Sequence, residues 1–382
     1  MRVATAIRRE IGRMTRRRLY LVAEVVLPLC ALVFMTTVFG RGEMTRLPIG
    51  VVDYDASASS RRIVSTLRAV PTVSVKCLYA NEQQARSAVS RGEIYGFVVI
   101  PAHFEQSVVM QRPTALRYYY HYALMAAGGQ LYACLESTLQ TLRAATVVDT
   151  ATALGVPSAT ALAFVEPIAS AEYAPQNPTL DYSVYLTYPY FYVMLQVLVL
   201  LMTVYVVGSE LRDGTAREWL MQCDDDIVAA VVGKLLPHAA VFALVAMVAD
   251  AVIFGVARIP HLCPWWTLIL NSTLLVVSTM AVGVVVVALF PRLWMAMSVG
   301  SMLGSLGATL CGVTFPLRSM FGVVGGVAEG FPIMHFAGLA ALQVYGGVGV
   351  AYAWHHYAAM ILIVGCGALL LPLLGRRVIR SV

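Results

Sequence analysis

Apolar positions along the 382-residue chain gather in long blocks, not in the short alternations of a water-soluble domain. The first block covers residues 19–40. About 22 residues at 1.5 Å each give about 33 Å, enough to cross a bilayer. A basic start followed by an apolar run is also the plan of a signal peptide. This run is too long for that, and no small-x-small cleavage site follows it. It therefore reads as an uncleaved first helix. Residues 41–183 contain no further block of that length. Five blocks come after them, at 185–208, 235–257, 266–290, 293–313 and 354–374. The pattern predicts six transmembrane helices, with one sizeable insert after the first.

Inside the insert the period changes. Residues 48–53 (PIGVVD) form a buried-strand pattern, and 57–69 a helix opened by serines that can cap it. Residues 73–79 alternate as a strand, and 81–91 read as a helix capped by Asn81. A third strand at 94–100 stops at Pro101, a fourth follows at 115–122, and a long helix at 124–154 leads back towards the membrane. Strands alternating with helices predict an α/β layer arrangement. The expected fold class is an α-helical membrane protein with six transmembrane helices plus an inserted extracytoplasmic α/β domain. A cytoplasmic basic segment spans 1–18, the insert 41–183 and the remaining transmembrane domain 184–382. The stretch 315–352 is apolar but broken by Pro316, Gly322, Gly325, Gly326, Gly330 and Pro332, and it carries Arg318 and Glu329. It reads as a re-entrant or interfacial hairpin at the outer face, a seventh and eighth span being the alternative.

Composition agrees: 59% of residues are hydrophobic and 13% charged, with a mean hydropathy of +0.74. The net charge of +6 matters mainly through its placement. Arg2, Arg8, Arg9, Arg13, Arg16, Arg17 and Arg18 open the chain, and Arg376, Arg377 and Arg380 close it. Basic ends mark the cytoplasmic side, and an even number of spans puts both termini there, in a bacterial inner membrane. Nucleic-acid binding is the weaker reading, because each arginine cluster abuts an apolar block; the expected partner is the lipid bilayer, not nucleic acid. Tyr182, Tyr185, Tyr188, Trp265, Trp266 and Trp354 suit aromatic belts at the outer ends. Pro291-Arg292 suits a short inner turn. Cys30, Cys311 and Cys366 read as small core residues. For Cys77 and Cys134 in the insert, a disulfide and free thiols both stay open.

Chemistry is sparse. Asp53, Asp55 and Ser57 form a D-x-D-x-S run that suits a turn and helix cap better than a metal. His103 and His121 read as structural. Gly233-Lys234 is not a phosphate-binding loop, because Val228 stands in place of its first glycine and Leu235 in place of its hydroxyl residue. The chain is therefore expected to have no ATPase activity, metal or cofactor of its own. Asp250 falls within a predicted span, where a carboxylate costs roughly 3 kcal/mol at the centre. A substrate-pathway or proton role competes there with an interface position near Arg258, which we prefer. Glu24, near the inner boundary, is expected to pair with a nearby arginine. Gly300, Gly304, Ala308 and Gly312 put small residues on one helix face, for close packing within the chain or between subunits.

The richest segment is the loop at 208–238, which contains GSELRDGTAREWLMQCDDD. Its inner part, 209–234, predicts a short amphipathic helix with Trp219, Leu220 and Met221 as apolar anchors. It reads either as a solvated loop or as a docking helix whose knob enters a partner's groove.

These pieces together resemble the type-2 ABC exporter permease family, in particular members with a large extracytoplasmic insert after the first helix. The resemblance rests on IGVVDYDASASSR, RGEIYGFVVIPAHFE, NPTLDY, GSELRDGTAREWL, GKLLP and FPLRSM…FPIMHF, in preserved order over nearly the whole chain. It implies a permease subunit that pairs with a second permease, as a homodimer or with a paralogue. Each permease would dock on a cytoplasmic ABC ATPase that holds the ATP and Mg. A periplasmic adaptor is compatible with the large insert. The family's E-x-E-x-G-T pattern falls on Glu210, Gly214 and Thr215, with Arg212 in place of the second glutamate and Arg217 where an acid often follows. The resemblance thus implies ATPase docking by Glu210, Arg212, Gly214, Thr215, Glu218, Trp219 and Leu220. A non-transporting sensor or scaffold, with a ligand-binding outer domain, is the competing class.

Overall fold

The computed structural model describes residues 2–380 except 41, 43, 111, 122–124, 154, 156, 158–180, 291 and 317–318. The end of the insert, residues 177–180 of NPTLDY, Pro291 of the predicted inner turn and Arg318 lie outside the described residues. The chain divides into two compact units, one of residues 1–42 with 174–382 and the other of residues 43–173.

The smaller unit is a four-stranded sheet flanked by helices. Its strands are β1 (Leu47–Asp53), β2 (Val73–Tyr79), β3 (Gly96–Ile100) and β4 (Arg117–Tyr120). They lie in the order β2-β1-β3-β4, with β1 parallel to β2 and β3, and β4 antiparallel to β3. Side chains alternate across the pleat. Ile49, Val51, Val98 and Ile100 point to one face, where Ile63, Leu67, Leu131 and Leu135 cover them. Val52, Phe97 and Val99 point to the other, against Ala85 and Ala88. The Ser57 hydroxyl accepts from the Ser60 N–H, and the Asn81 side chain accepts from the Gln84 N–H, so both expected caps are in place. The acidic run serves the turn: Asp53 accepts from the N–H groups of residues 55 and 56 and from the Ser60 hydroxyl. Cys77 and Cys134 are both free thiols.

The larger unit is helical. Among the described residues, five of its helices are long and apolar enough to cross a membrane, or six if one bent pair counts as a span. We number them with the helices of the smaller unit in chain order. Helix α1 (Arg2–Arg16) is followed by α2 (Arg18–Val38); α3 (Ala58–Ala69), α4 (Glu82–Ser90), α5 (Phe104–Val109) and α6 (Met125–Ala153) belong to the sheet unit. Then come α7 (Ser183–Arg212), α8 (Ala216–Met221), α9 (Ile227–Val256), α10 (Trp265–Leu289), α11 (Leu293–Thr309), α12 (Gly322–Ala328), α13 (Pro332–Tyr345) and α14 (Trp354–Ile379). The central helix is α7, which packs against α2, α9, α10, α11 and α13.

One departure from the sequence pattern concerns the span count. The expected span at 293–313 is the 17-residue α11, about 25 Å long at 1.5 Å per residue, short of a bilayer core of about 30 Å. The apolar run goes on after Thr309, but the helix does not, so composition overstated its length. In the broken stretch at 315–352, α12 and α13 meet at 89°, as in a broken span or a re-entrant loop. Burial also corrects single residues. Tyr188, assigned to an aromatic belt, is fully buried against Tyr192, Phe254 and Phe336. Cys30 and Cys366, expected in the core, are exposed, whereas Cys311 is buried.

Candidate functional site

Helix α1 is amphipathic and lies along the start of α9. The approach is close: a Cβ at Gly233 would stand 2.5 Å from the Ala6 methyl and 2.9 Å from the Val3 carbonyl oxygen. Only a glycine lets the two helices meet this tightly. The contact brings Glu10 from α1 over Lys234 from α9. Glu24 reaches in from α2 and Glu210 from the last turn of α7.

Glu10, Glu24, Glu210, Lys234 and His238 are each 1% exposed or less. Lys234 Nζ donates to Glu10 Oε2 at 2.5 Å and to Glu210 Oε1 at 2.8 Å. Glu210 also accepts from Arg9 at 3.2 Å, from Arg13, and from the Thr215 hydroxyl. His238 faces Glu24 with Nδ1 and Glu10 Oε1 with Nε2, the latter at 3.3 Å. An ionised carboxylate only accepts, so a ring donating from both nitrogens satisfies this arrangement. Burial pushes the Glu10 carboxyl up, but the hydrogen bond from His238 and the charge of Lys234 overcome it and hold the group at about 2.

The cluster ties four elements to one turn. Gly214 takes φ +70°, a left-handed value that a side chain resists, and it turns the chain so that Thr215 folds back on Glu210. Helix α8 starts at this turn. Trp219 and Leu220 are 2% exposed, and the Trp219 ring lies 5.4 Å from Lys234 Nζ. The amphipathic pattern of the sequence suggests an outward knob for these two residues. They are instead the inner face of α8, because the buried charges beneath the turn need an apolar cover. Arg217, Glu218 and Met221 form the outward face. Arg212 is exposed, pairs with Asp213 at 2.8 Å and holds that carboxyl below its usual range.

Other predicted sites take different places. Asp250 is 1% exposed and accepts from the Tyr192 hydroxyl at 2.6 Å, whereas Arg258 is exposed. The interface position near Arg258 is therefore not where Asp250 sits. Asp250 Oδ2 has no hydrogen-bond partner among the described residues. Nearby, Asn271, Gln343 and Tyr357 bond to one another at 2.6–3.0 Å. Glu24 pairs with His238, not with an arginine. Gly300 and Gly304 pack within the chain against Leu201, Val204 and Val197 of α7, and Ala308 is half-buried in the same core. Gly312 lies past the end of α11, so the small-residue stripe continues through Gly307 instead.

Glu10 and His238 carry no motif in the sequence, and Lys234 enters there only as part of a rejected phosphate-binding loop. The available signal was the 3–4 spacing of Val3, Ala6, Glu10 and Arg13 on one face of α1, and of Lys234 and His238 on one face of α9.

A sequence model of the family described as ABC-2 family transporter protein matches residues 18–371. The chain belongs to this family. Comparison with curated proteins gave no match. An ABC-2 transporter protein is the membrane component of an ABC transporter and implies an ABC ATPase as its partner. In this permease the matched segment includes the Glu210–Thr215 turn, helix α8 and both α9 residues of the ion cluster.

Proposed function

We propose that this permease belongs to an exporter, moving substrate outward with ATP hydrolysed on a separate cytoplasmic ATPase subunit. The ATPase docks on the outward face of α8, through Glu218 and Met221. Both termini and α8 face the cytoplasm, residues 43–173 face the periplasm, and a second permease completes the assembly. The observation that supports this reading is the cluster around Glu210. It joins α1, α2, α7 and α9 to the turn that carries α8, so a push on α8 reaches all four elements through paired charges and not through a flexible loop.

Two measurements test it. Cys77 is exposed, so a membrane-impermeant maleimide should label it in intact spheroplasts. A cysteine introduced by Arg217→Cys should react only after permeabilisation; the reverse pattern would refute the orientation. Met221→Asp combined with Glu218→Lys should abolish co-purification of the ATPase and ATP-driven transport while leaving the permease folded. If both persist, α8 is not the docking element.

A further inference from the structure

A pocket of about 450 Å³ opens on the side of the helical unit, between α10, the bend joining α12 to α13, and α14. This volume lies in the range of small-molecule sites. Val282, Val285, Leu362 and Ile363 make its walls, and Glu329 and His335 its polar end. Val282 is 17 residues from Trp265 and 7 from Leu289, so the pocket lies about 25 Å from one end of the span and about 10 Å from the other. This level lies within the length of α10 that is apolar enough to cross a membrane.

Glu329 is exposed at the polar end of this pocket. A carboxylate inside the apolar length of a bundle is costly, and such residues mark ligand or ion sites. Among the described residues that line the pocket, none is a cation. The bend that carries Glu329 is fixed. Only a donor can bond a carbonyl, so His335 Nε2–H donates to the Glu329 carbonyl oxygen at 2.9 Å. In the neutral ring this leaves His335 Nδ1 as acceptor for His356 Nδ1–H at 3.2 Å, which ties the bend to α14. The backbone of Glu329 is thus held, while its side chain makes no ion pair among the described residues.

We propose that this pocket binds a single-chain amphiphile with a cationic headgroup, the ammonium against Glu329 and the alkyl chain along Val282, Val285, Leu362 and Ile363. An anionic or zwitterionic head would set a second negative charge beside Glu329 in a medium of low dielectric. A cationic head neutralises it, and the walls supply the apolar burial. The assignment needs the membrane placement of α10 but neither the ATPase nor the direction of transport.

The test uses the full chain in nanodiscs of phosphatidylcholine, without ATPase or nucleotide. The probe is a dodecylammonium bearing a terminal diazirine, with a dodecanol diazirine of equal length as the neutral control. Photolysis should place the cationic probe on peptides containing Val282–Val285 and Leu362–Ile363. Glu329→Gln should weaken it by about tenfold or more, and leave the neutral probe unchanged. Ala359→Phe narrows the pocket with Glu329 intact and should reduce labelling by both probes, so a folding defect in the first variant would not end the test. Equal labelling by the two probes, or cationic labelling untouched by Glu329→Gln, would overturn the proposal and leave a groove that holds only lipid tails. Because no ATP enters the assay, either result stands apart from the export reading.

Discussion

Around Glu210 every buried carboxylate meets a cation; around Asp250, among the described residues, none does. Both regions belong to the helical unit, and both bury acids to 1% exposure or less. The first is a closed set of opposite charges from α1, α2, α7 and α9. The second is a set of hydroxyls and amides with, among the described residues, a single acid, one of whose oxygens has no hydrogen-bond partner there. Charges taken out of water recover their desolvation cost only when paired and hydrogen-bonded, whereas neutral groups need only local partners. The cluster should therefore behave as a rigid joint that fails if any member is removed. The Asp250 layer should tolerate exchange among groups of similar shape.

Lys234→Met breaks the comparison most severely. It leaves Glu10 and Glu210 buried without their shared cation, a loss of roughly 3–5 kcal/mol. The thermal midpoint of the purified permease should fall sharply, and adding Glu210→Gln should recover part of it. A midpoint unmoved by Lys234→Met would show that the charges are solvated and the joint is not closed.

Acid probes the same joint through Glu10. Its carboxyl titrates at about 2 in the fold against an ordinary 4.5, so the folded state favours the ionised form. This stabilisation, on the order of 3 kcal/mol, is complete above about pH 4.5 and is lost as the pH falls towards 2. Unfolding measured from pH 5 to 2 should steepen over that window in the parent and flatten in Glu10→Gln. Identical slopes would remove Glu10 from the cluster.

The smallest effects belong to the other layer. Tyr192→Phe withdraws the one donor that Asp250 has among the described residues and should cost about 1–3 kcal/mol. Asp250→Asn keeps an acceptor for that hydroxyl and should change stability by less than about 1 kcal/mol. An Asp250→Asn loss as large as that of Lys234→Met would mean that the lone acid carries a charge the layer depends on. A loss of transport with the midpoint unchanged would instead assign Asp250 to the substrate route.

Much of the architecture was legible because lipid and β-pleat impose strict periods. Long apolar blocks fixed α2, α7, α9, α10 and α14, and the strands and helices of the insert fell close to their predicted residues with Ser57 and Asn81 as caps. Gly214 and Thr215 were singled out from their motif, and the structure shows them making the turn beside Glu210. The direction of α8 was not legible. Trp219 and Leu220 look like an exposed knob until the charges beneath them are placed.

The amino-acid sequence alone determined which segments avoid water, because apolar length and alternation are local properties that each segment carries with it. Only the tertiary structure decided which charges are buried together. Glu10, Glu24, Glu210, Lys234 and His238 are distant in the chain, and their pairing depends on Gly233 admitting α1 against α9. A charge can stay inside an apolar bundle only if its partner arrives from another helix, and no window along the chain contains that information.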